Sequence, residues 1–437
     1  MNLDLKELKA KLAPVMNRAI LTPVIITLAA LILLVPTQLM SGRLKSAVQS
    51  ESASMGNRLR NLDAVPEEQW KMEQAYQDAF AADANRAELL SLQSTQRELL
   101  SYRLFPDPCS TSQMIFENYA QAYRAGIEAF VSQAGGVWRP ADLELQHELE
   151  KASPSLPGGR RTSALFRTRS GTIDLSRMRL SETERTIVDL LCMEKAKAGR
   201  LYASAADLSG YDFWGSFKYE GAESAVRNCW YYQLAYWVID DLFQTAAVMN
   251  AGSTSVLDST VKRVMGVWFK LDSQAARGRG GPYSRPGGAV GRAAGQKQDI
   301  PSYAKSQRDG ALTDACTARY CDADWDVVHF NLAVVVKADA TFAFMNQLCS
   351  GKTHVCRGWD GRSPAQPMKH NQITILEAST YSVDRESADH ALYRYGENAV
   401  VQLDLICEYL FYRPAYDVIM PQAIKDERAA DTSNKRW

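Results

Sequence analysis

An uncharged apolar segment near the N-terminus constrains the fold of this chain more than any other feature. Residues 19–40 read AILTPVIITLAALILLVPTQLM, and no charged side chain lies between Arg18 and Arg43. As an α-helix this segment would be about 33 Å long, enough to cross the hydrocarbon core of a bilayer. A signal peptide normally has a shorter apolar core and a small-residue cleavage site, which Leu39-Met40-Ser41 does not provide. We therefore predict a retained transmembrane helix at 19–40.

The charges beside this segment orient it only weakly. Four basic residues precede it and four follow it: Lys6, Lys9, Lys11 and Arg18, then Arg43, Lys45, Arg58 and Arg60. The positive-inside rule therefore gives nearly equal counts on the two sides. The short tail, and the position of all eight cysteines after the segment, favour a cytoplasmic tail and an exported domain. We predict a single-pass protein of the bacterial inner membrane with a cytoplasmic N-terminus and a periplasmic C-terminal domain.

A heptad-like pattern follows the apolar segment. Its apolar residues recur at spacings of three, four and seven: Leu44, Val48, Met55, Leu59 and Leu62. Glu51 and Arg58 lie on the same seam, and Pro66 ends the pattern. The spacing indicates a short coiled coil within a helical stalk, with the five apolar residues as its interface. The alternative is an amphipathic helix that folds back on its own domain.

Later parts of the chain alternate between helical and strand-like patterns. An aromatic helical segment covers 224–250, and apolar residues alternate with polar ones over 261–271. The C-terminal part predicts four elements: a strand at 328–336, a helix after Asp339, and strands at 373–382 and 401–411. Strand–helix–strand–strand is the order of half a ferredoxin-like sandwich, and the preceding helix and strand would supply a related half. The predicted fold class is α+β, with an N-terminal transmembrane helix and helical stalk followed by ferredoxin-like α/β halves.

These patterns divide the chain into seven parts. The Gly/Arg-rich stretch 275–298 marks a long loop, and Pro106 and Pro108 mark the end of the stalk. The predicted parts are a cytoplasmic tail at 1–18, the transmembrane helix at 19–40, the stalk at 41–105, a helical region with the first ferredoxin-like half at 106–271, a loop and connector at 272–325, the C-terminal half at 326–421, and a polar tail at 422–437.

The charge balance gives no reason to expect a nucleic-acid partner. Lys and Arg together number 50, as do Asp and Glu, so the formal net charge is zero. The loop sequence Arg277-Gly278-Arg279-Gly280-Gly281 resembles an RNA-binding patch in composition only, because Tyr283 is the one aromatic residue near it. We predict that nucleic acid is not a partner.

Four of the cysteines lie close together in sequence around one predicted strand–helix unit: Cys316, Cys321, Cys349 and Cys356. The second pair is spaced too widely for a typical structural zinc site, even with His354 between its members. Disulfides or free thiols fit these spacings better, and in an oxidising compartment we expect at least one disulfide among the four.

The remaining polar residues show no catalytic pattern. Asp240 and Asp241 are adjacent in the aromatic helix, where their side chains point about 100° apart, so we interpret them as a solvated helix edge. His329 falls on the polar face of its predicted strand, which we likewise interpret as solvated sheet surface. The histidines have no metal-binding spacing, and no nucleophile elbow or phosphate-binding loop appears. We predict no catalytic, cofactor-binding or metal-binding residues.

Together, the segment 19–40, the heptads 44–62 and the C-terminal unit 327–421 resemble the PilO-like family, to which GspM of type II secretion is related. In the C-terminal unit the resemblance rests on VVHFNLAVVVKADATFAFMNQL and AVVQLDLICEYLFYRPAYDVIMP. The chain departs from the family in its length, its Gly/Arg-rich loop and its many cysteines.

This resemblance implies a non-enzymatic, membrane-anchored scaffold of a type IV pilus or type II secretion-like assembly. Its expected partners are a PilN-like bitopic membrane protein, other subunits of the machine, a second copy of the chain, and the lipid bilayer through residues 19–40. No cofactor is expected. The alternative is an exported, surface-facing binding or signalling protein that reuses the fold. An anchored enzyme is a third hypothesis, because a fold alone does not exclude chemistry.

Overall fold

The computed structural model describes residues 18–60, 66–152, 180–269, 299–305, 317 and 319–433. The chain divides into two compact units, Met1–Asn85 and Arg86–Trp437. Two long helices dominate the described residues of the first unit: α1 covers Arg18–Arg60, and α2 covers Glu67–Ser94 and contains the point of division. Two acidic residues, Glu67 and Glu68, begin α2 directly after Pro66, where negative charge favours a helix start.

Helix α1 contains the predicted transmembrane segment. The longest run of described side chains within that segment is 25–32, which spans about 12 Å of helix, against the roughly 30 Å of a hydrocarbon core. No helix in the described part of the chain is long and apolar enough to cross a membrane. On these residues, the predictions of a transmembrane helix at 19–40, of a single-pass protein and of placement in the bacterial inner membrane are wrong.

The second unit contains eight further helices among its described residues. They are α3 (Gln113–Gln133), α4 (Asp142–Ala152), α5 (Glu182–Ala198), α6 (Tyr211–Gly215), α7 (Ala222–Met249), α8 (Thr341–Leu348), α9 (Arg413–Tyr416) and α10 (Gln422–Ser433). Short 3-10 turns occur at Ala205–Asp207 and Ala338–Ala340.

Eight strands in the described part of the chain build one large sheet and one hairpin. The strands are β1 (Gly136–Val137), β2 (Leu201–Tyr202), β3 (Val261–Trp268), β4 (Trp325–Lys337), β5 (Lys352–Cys356), β6 (Gln366–His370), β7 (Ile373–Ser382) and β8 (Val400–Tyr412). The large sheet has the order β1-β2-β3-β4-β8-β7, and β5 pairs with β6. The long strands β3, β4, β8 and β7 pair antiparallel with their neighbours. The two short strands are parallel to their neighbours: β1 pairs with β2, and β2 pairs with β3.

The core lies between one face of this sheet and the helices. Alternate residues of β4, such as Val328, Phe330 and Leu332, are buried with Leu405 and Phe411 of β8 in the main apolar cluster. Helix α7 is buried on nearly all sides, since α3 and α8 also pack against it. This explains why α7 has apolar and aromatic residues on nearly all its sides, because a helix with apolar residues all round is stable when other elements bury every side of it.

The sequence predicted several of the long elements. The strand at 373–382 has the predicted bounds, and the segments 328–336, 401–411 and 224–250 are confirmed as β4, β8 and α7 within a few residues. In β4-α8-β7-β8, strand β8 lies between β4 and β7. The predicted fold class is nevertheless corrected: the structure is a mixed α/β unit with a six-stranded sheet, and its N-terminal helix is not shown to span a membrane.

Candidate functional site

The predicted stalk interface lies on an exposed helix. Leu44, Val48 and Met55 of α1 are 68%, 59% and 61% exposed. At 100° per residue, the three side chains fall within about 40° of one another around the helix. The side chain of Leu59 and the whole of Leu62 lie outside the described residues. The three described members therefore form an apolar stripe that this chain leaves in water, and we call it the α1 stripe.

A cluster of buried charges lies in the second unit, around Arg97. This residue follows α2 and is only 2% exposed. Its guanidinium donates a hydrogen bond of 2.7 Å to Asp240. It also lies 2.9 Å from Asp241 Oδ1 and forms an ion pair with it, although the geometry there is not that of a hydrogen bond. Asp240 and Asp241 belong to α7, and Asp241 is fully buried. The interpretation as a solvated helix edge is therefore wrong for Asp241, whereas the Asp240 side chain is 23% exposed and pairs with Arg97.

Strand β8 adds a buried hydroxyl to this cluster. Arg97 Nη1 donates a hydrogen bond of 2.8 Å to Tyr409 Oη. That hydroxyl lies 2.8 Å from both Asp241 Oδ2 and Gln372 Oε1, so its single proton serves one of the two acceptors at a time. Burial raises the pKa of Tyr409 well above its usual value, and the group stays protonated.

Two histidines of the β5–β6 hairpin extend the cluster. His370 Nε2 lies 2.8 Å from Asp241 Oδ2, and His354 Nε2 lies 2.7 Å from the carbonyl oxygen of Gln96. The two Nδ1 atoms lie 2.9 Å apart. Because a carboxylate and a carbonyl only accept hydrogen bonds, both Nε2 atoms carry hydrogen. The two Nδ1 atoms form a hydrogen bond when one of them carries a hydrogen and the other accepts it.

The electrostatics of the cluster act on His354 and Asp241. Burial, followed by the nearby positive charge of Arg97, lowers the pKa of His354 to about 4, so His354 is neutral near pH 7. Burial alone would raise the pKa of Asp241, but Arg97 and the hydrogen bond from His370 lower it to about 2. Asp241 is thus an ionised carboxylate that pairs with Arg97 and accepts a hydrogen bond from His370.

A lysine fixes the hairpin that carries these histidines. Lys352 begins β5, is buried, and donates hydrogen bonds to the carbonyl oxygens of Gln347, Leu348 and Ser350. These carbonyls lie at the C-terminal end of α8, where a cation is favoured by the helix dipole. The cluster has the composition of a catalytic relay, yet His354 Nε2 is engaged by a backbone carbonyl and no nucleophile follows it. We interpret the cluster as a structural network that fixes hairpin and helix together.

A surface cleft also lies beside helix α5. The loop 384–398 forms part of its lining and contributes Arg385 and Arg394. Both arginines are engaged: Arg394 pairs with Asp189 at 2.6 Å, and Arg385 donates to the carbonyl oxygens of Gly396 and Asn398. Both guanidinium groups therefore already have hydrogen-bond or ion-pair partners within the chain.

The predicted cysteine and metal features remain separate from this cluster. Cys321, Cys349 and Cys356 are free thiols in the structure, and Cys316 lies outside the described residues, so a disulfide among the four stays a prediction. Within the described ranges, no group of three or more His, Cys, Asp or Glu side chains could hold a metal ion. His329 is buried rather than solvated, which corrects its interpretation as sheet surface, and burial lowers its pKa.

No protein-family model matches this chain, no curated protein matches its sequence, and no solved structure matches its fold. The resemblance to PilO-like proteins accordingly stays a prediction.

Sequence reasoning missed the buried cluster because its members are far apart in the chain. Arg97, Asp241, His370 and Tyr409 come from a loop, a helix and two strands. The adjacent carboxylates in an otherwise apolar, aromatic helix were the available signal, since a helix covered on all sides has no solvated edge.

Proposed function

We propose that this protein is a non-enzymatic assembly protein that binds a helical partner through the α1 stripe. The observation that carries the proposal is the exposure of Leu44, Val48 and Met55 on one side of a 43-residue helix. Each is about 60% exposed or more, and large apolar side chains aligned in this way are typical of a surface that a partner covers.

The seam residues of α1 favour a different protein as that partner. Glu51 and Arg58 lie close to the stripe, and burying either charge is costly unless an opposite charge pairs with it. A complementary helix can supply both opposite charges. The resemblance to PilO-like proteins favours a PilN-like subunit of a type IV pilus or type II secretion-like machine in this role.

The second unit supports a non-enzymatic interpretation. Its buried polar cluster is closed on itself, because Arg97 and His370 both pair with Asp241, and His354 is bound to a backbone carbonyl. A catalytic base needs a free nitrogen or oxygen within reach of a substrate. The cluster offers no such atom on His354 Nε2.

The test is a triple substitution on the stripe, Leu44→Ser with Val48→Ser and Met55→Ser. The matched control places Ser at Gln49, Ala53 and Asn57, which are exposed on the opposite side of the same helix. We expect the stripe variant of the full chain to lose co-purification with the PilN-like subunit from native cells. The control should retain it. Both variants should keep the melting temperature of the wild-type second unit, since all six positions are exposed.

Retention of every partner by the stripe variant, together with complementation of a deletion strain, would contradict the proposal. Loss of partners by both variants would also contradict it, because the face of the helix would then not matter.

A further inference from the structure

Helix α2 has an apolar stripe of its own. Met72, Tyr76 and Phe80 follow one another at intervals of four residues, and they are 69%, 68% and 67% exposed. This spacing keeps the three side chains within about 80° around the helix. We call them the α2 stripe. It is as exposed as the α1 stripe among the residues that the structure describes.

The two helices carry opposite charge. Residues 41–60 contain four basic residues and one acidic residue, which gives a net charge of +3. Residues 67–85 contain five acidic residues and one basic residue, which gives a net charge of −4. That one basic residue, Lys71, is already paired with Glu67 at 2.7 Å. The remaining carboxylates of this part of α2 therefore offer a surface for an external cation-rich helix.

An antiparallel arrangement matches both the stripes and the charges. Placing Met55 beside Met72 brings Val48 next to Phe80, because Val48 lies seven residues from Met55 and Phe80 lies eight residues from Met72. At 1.5 Å per residue these two distances along the helix axes are nearly equal. Two further pairs follow from the same register: Lys45 comes within about one turn of Asp83, and Arg58 comes within about one turn of Glu68. One register therefore satisfies apolar and charged residues together.

Pairing of each helix with its own copy is less favourable. Two parallel copies of α1 would place Glu51 opposite Glu51 and Arg58 opposite Arg58, and like charges on a seam repel. Two copies of α2 would bring together two surfaces of net charge −4. Opposite charges meet when α1 of one copy meets α2 of another.

We propose that the α2 stripe is a docking surface for the segment 41–60 of a second copy of this chain, packed antiparallel. The inference rests on the proposed function in using the α1 stripe as a binding surface. It adds the occupant of α2 and the register of the contact. An assembly protein of this kind exchanges between a self-paired state and a state in which a partner helix takes the place of the second copy.

Site-specific disulfide trapping tests the register. The background is Cys109→Ser, because Cys109 is the exposed cysteine among the described residues. One sample of the full chain carries Met55→Cys and one affinity tag, and a second carries Met72→Cys and another tag. The two are mixed and oxidised with diamide. We expect mixed-tag dimers to exceed same-tag dimers by about tenfold, and the yield to fall in about 1 M NaCl, where the Debye length is about 3 Å.

The matched control replaces Met55→Cys by Asn57→Cys, which moves the thiol to the far side of α1 at the same height. It should give few mixed-tag dimers. Predominance of same-tag Met55→Cys dimers would overturn the proposal in favour of homotypic α1 pairing. A single chain with both cysteines that forms an internal disulfide faster than the mixed dimer would overturn it in favour of a hairpin within one chain.

The outcome is separable from that of the proposed function. If no mixed-tag dimers form but substitution of the α1 stripe still abolishes binding of the PilN-like subunit, the inference is contradicted and the proposed function is supported. Mixed-tag dimers together with full retention of that subunit would sink the function and leave the self-pairing.

Discussion

The second unit and the long helices of the first differ in which side chains they bury and which they expose. In the second unit even charged side chains are removed from water, and Arg97, Asp241 and His370 are buried only because each pairs with another. On α1 and α2 large apolar side chains remain in water: Leu44 and Phe80 are representative. Buried charge needs a partner within the chain, whereas exposed apolar surface is stabilised by a partner outside it.

This contrast separates stability from function. A substitution among the buried charges should act on the free energy of unfolding, and a substitution on either stripe should act on binding. The unit that folds on its own contacts is not the part that we expect to recognise other molecules.

The largest effect is expected from Arg97→Met, which leaves two carboxylates, Asp240 and Asp241, without their main cation. Removing one member of a buried ion pair costs about 3–5 kcal/mol. Chemical denaturation followed by tryptophan fluorescence measures the loss. Arg58→Met on α1 is the control and should change the free energy of unfolding by less than about 0.5 kcal/mol. Equal effects of the two substitutions would break the contrast.

A pair of leucines sharpens the same comparison for apolar side chains. Leu332 of β4 is fully buried in the main core cluster, whereas Leu44 is exposed. Leu332→Ala should lower the free energy of unfolding by about 2–5 kcal/mol through lost burial and the cavity left behind. Leu44→Ala should stay within about 0.5 kcal/mol in the free chain. A large loss from Leu44→Ala in dilute protein would mean that this chain already covers its α1 stripe.

A smaller effect is expected from pH, because His354 is only half-buried. Its pKa is about 4 in the folded chain, below the usual value of about 6.5 in an unfolded one. The neutral form therefore stabilises the fold above about pH 6.5, and this contribution is lost as the pH falls from there towards 4. Protonation also puts hydrogen on Nδ1 of His354, so that this atom can no longer accept a hydrogen bond from His370.

The measurement compares wild-type protein with His354→Asn between pH 7 and pH 4. Asp326 and Asp404, whose pKa values burial raises to about 6, act with the opposite sign, since their stabilising effect is lost as the pH rises. The difference between the two proteins removes these contributions. We expect wild type to lose its stability advantage on acidification; an advantage that grows towards pH 4 would contradict the assigned protonation.

Local sequence patterns were sufficient to predict helices and strands, but they were insufficient to predict the buried cluster around Arg97. The apolar–polar alternation of β4 and β8 predicts these two strands within a few residues of their ends, because the signal lies within the strands themselves. The pairing of Asp241 with Arg97 and His370 depends on how α7 meets the β5–β6 hairpin, which no local spacing records. For the apolar segment 19–40, by contrast, the local pattern was strong but the prediction was wrong. It predicted a transmembrane helix that the described residues of α1 do not show.

The central claim is that the α1 and α2 stripes are covered by another molecule and not by their own chain. Amide hydrogen exchange of the full-length protein, followed by mass spectrometry over a dilution series, tests it most directly. We predict that protection of residues 43–60 and 67–85 falls on dilution, as mass action requires, while β4 and β8 stay protected throughout. Protection of the two helices that is independent of concentration would contradict the account.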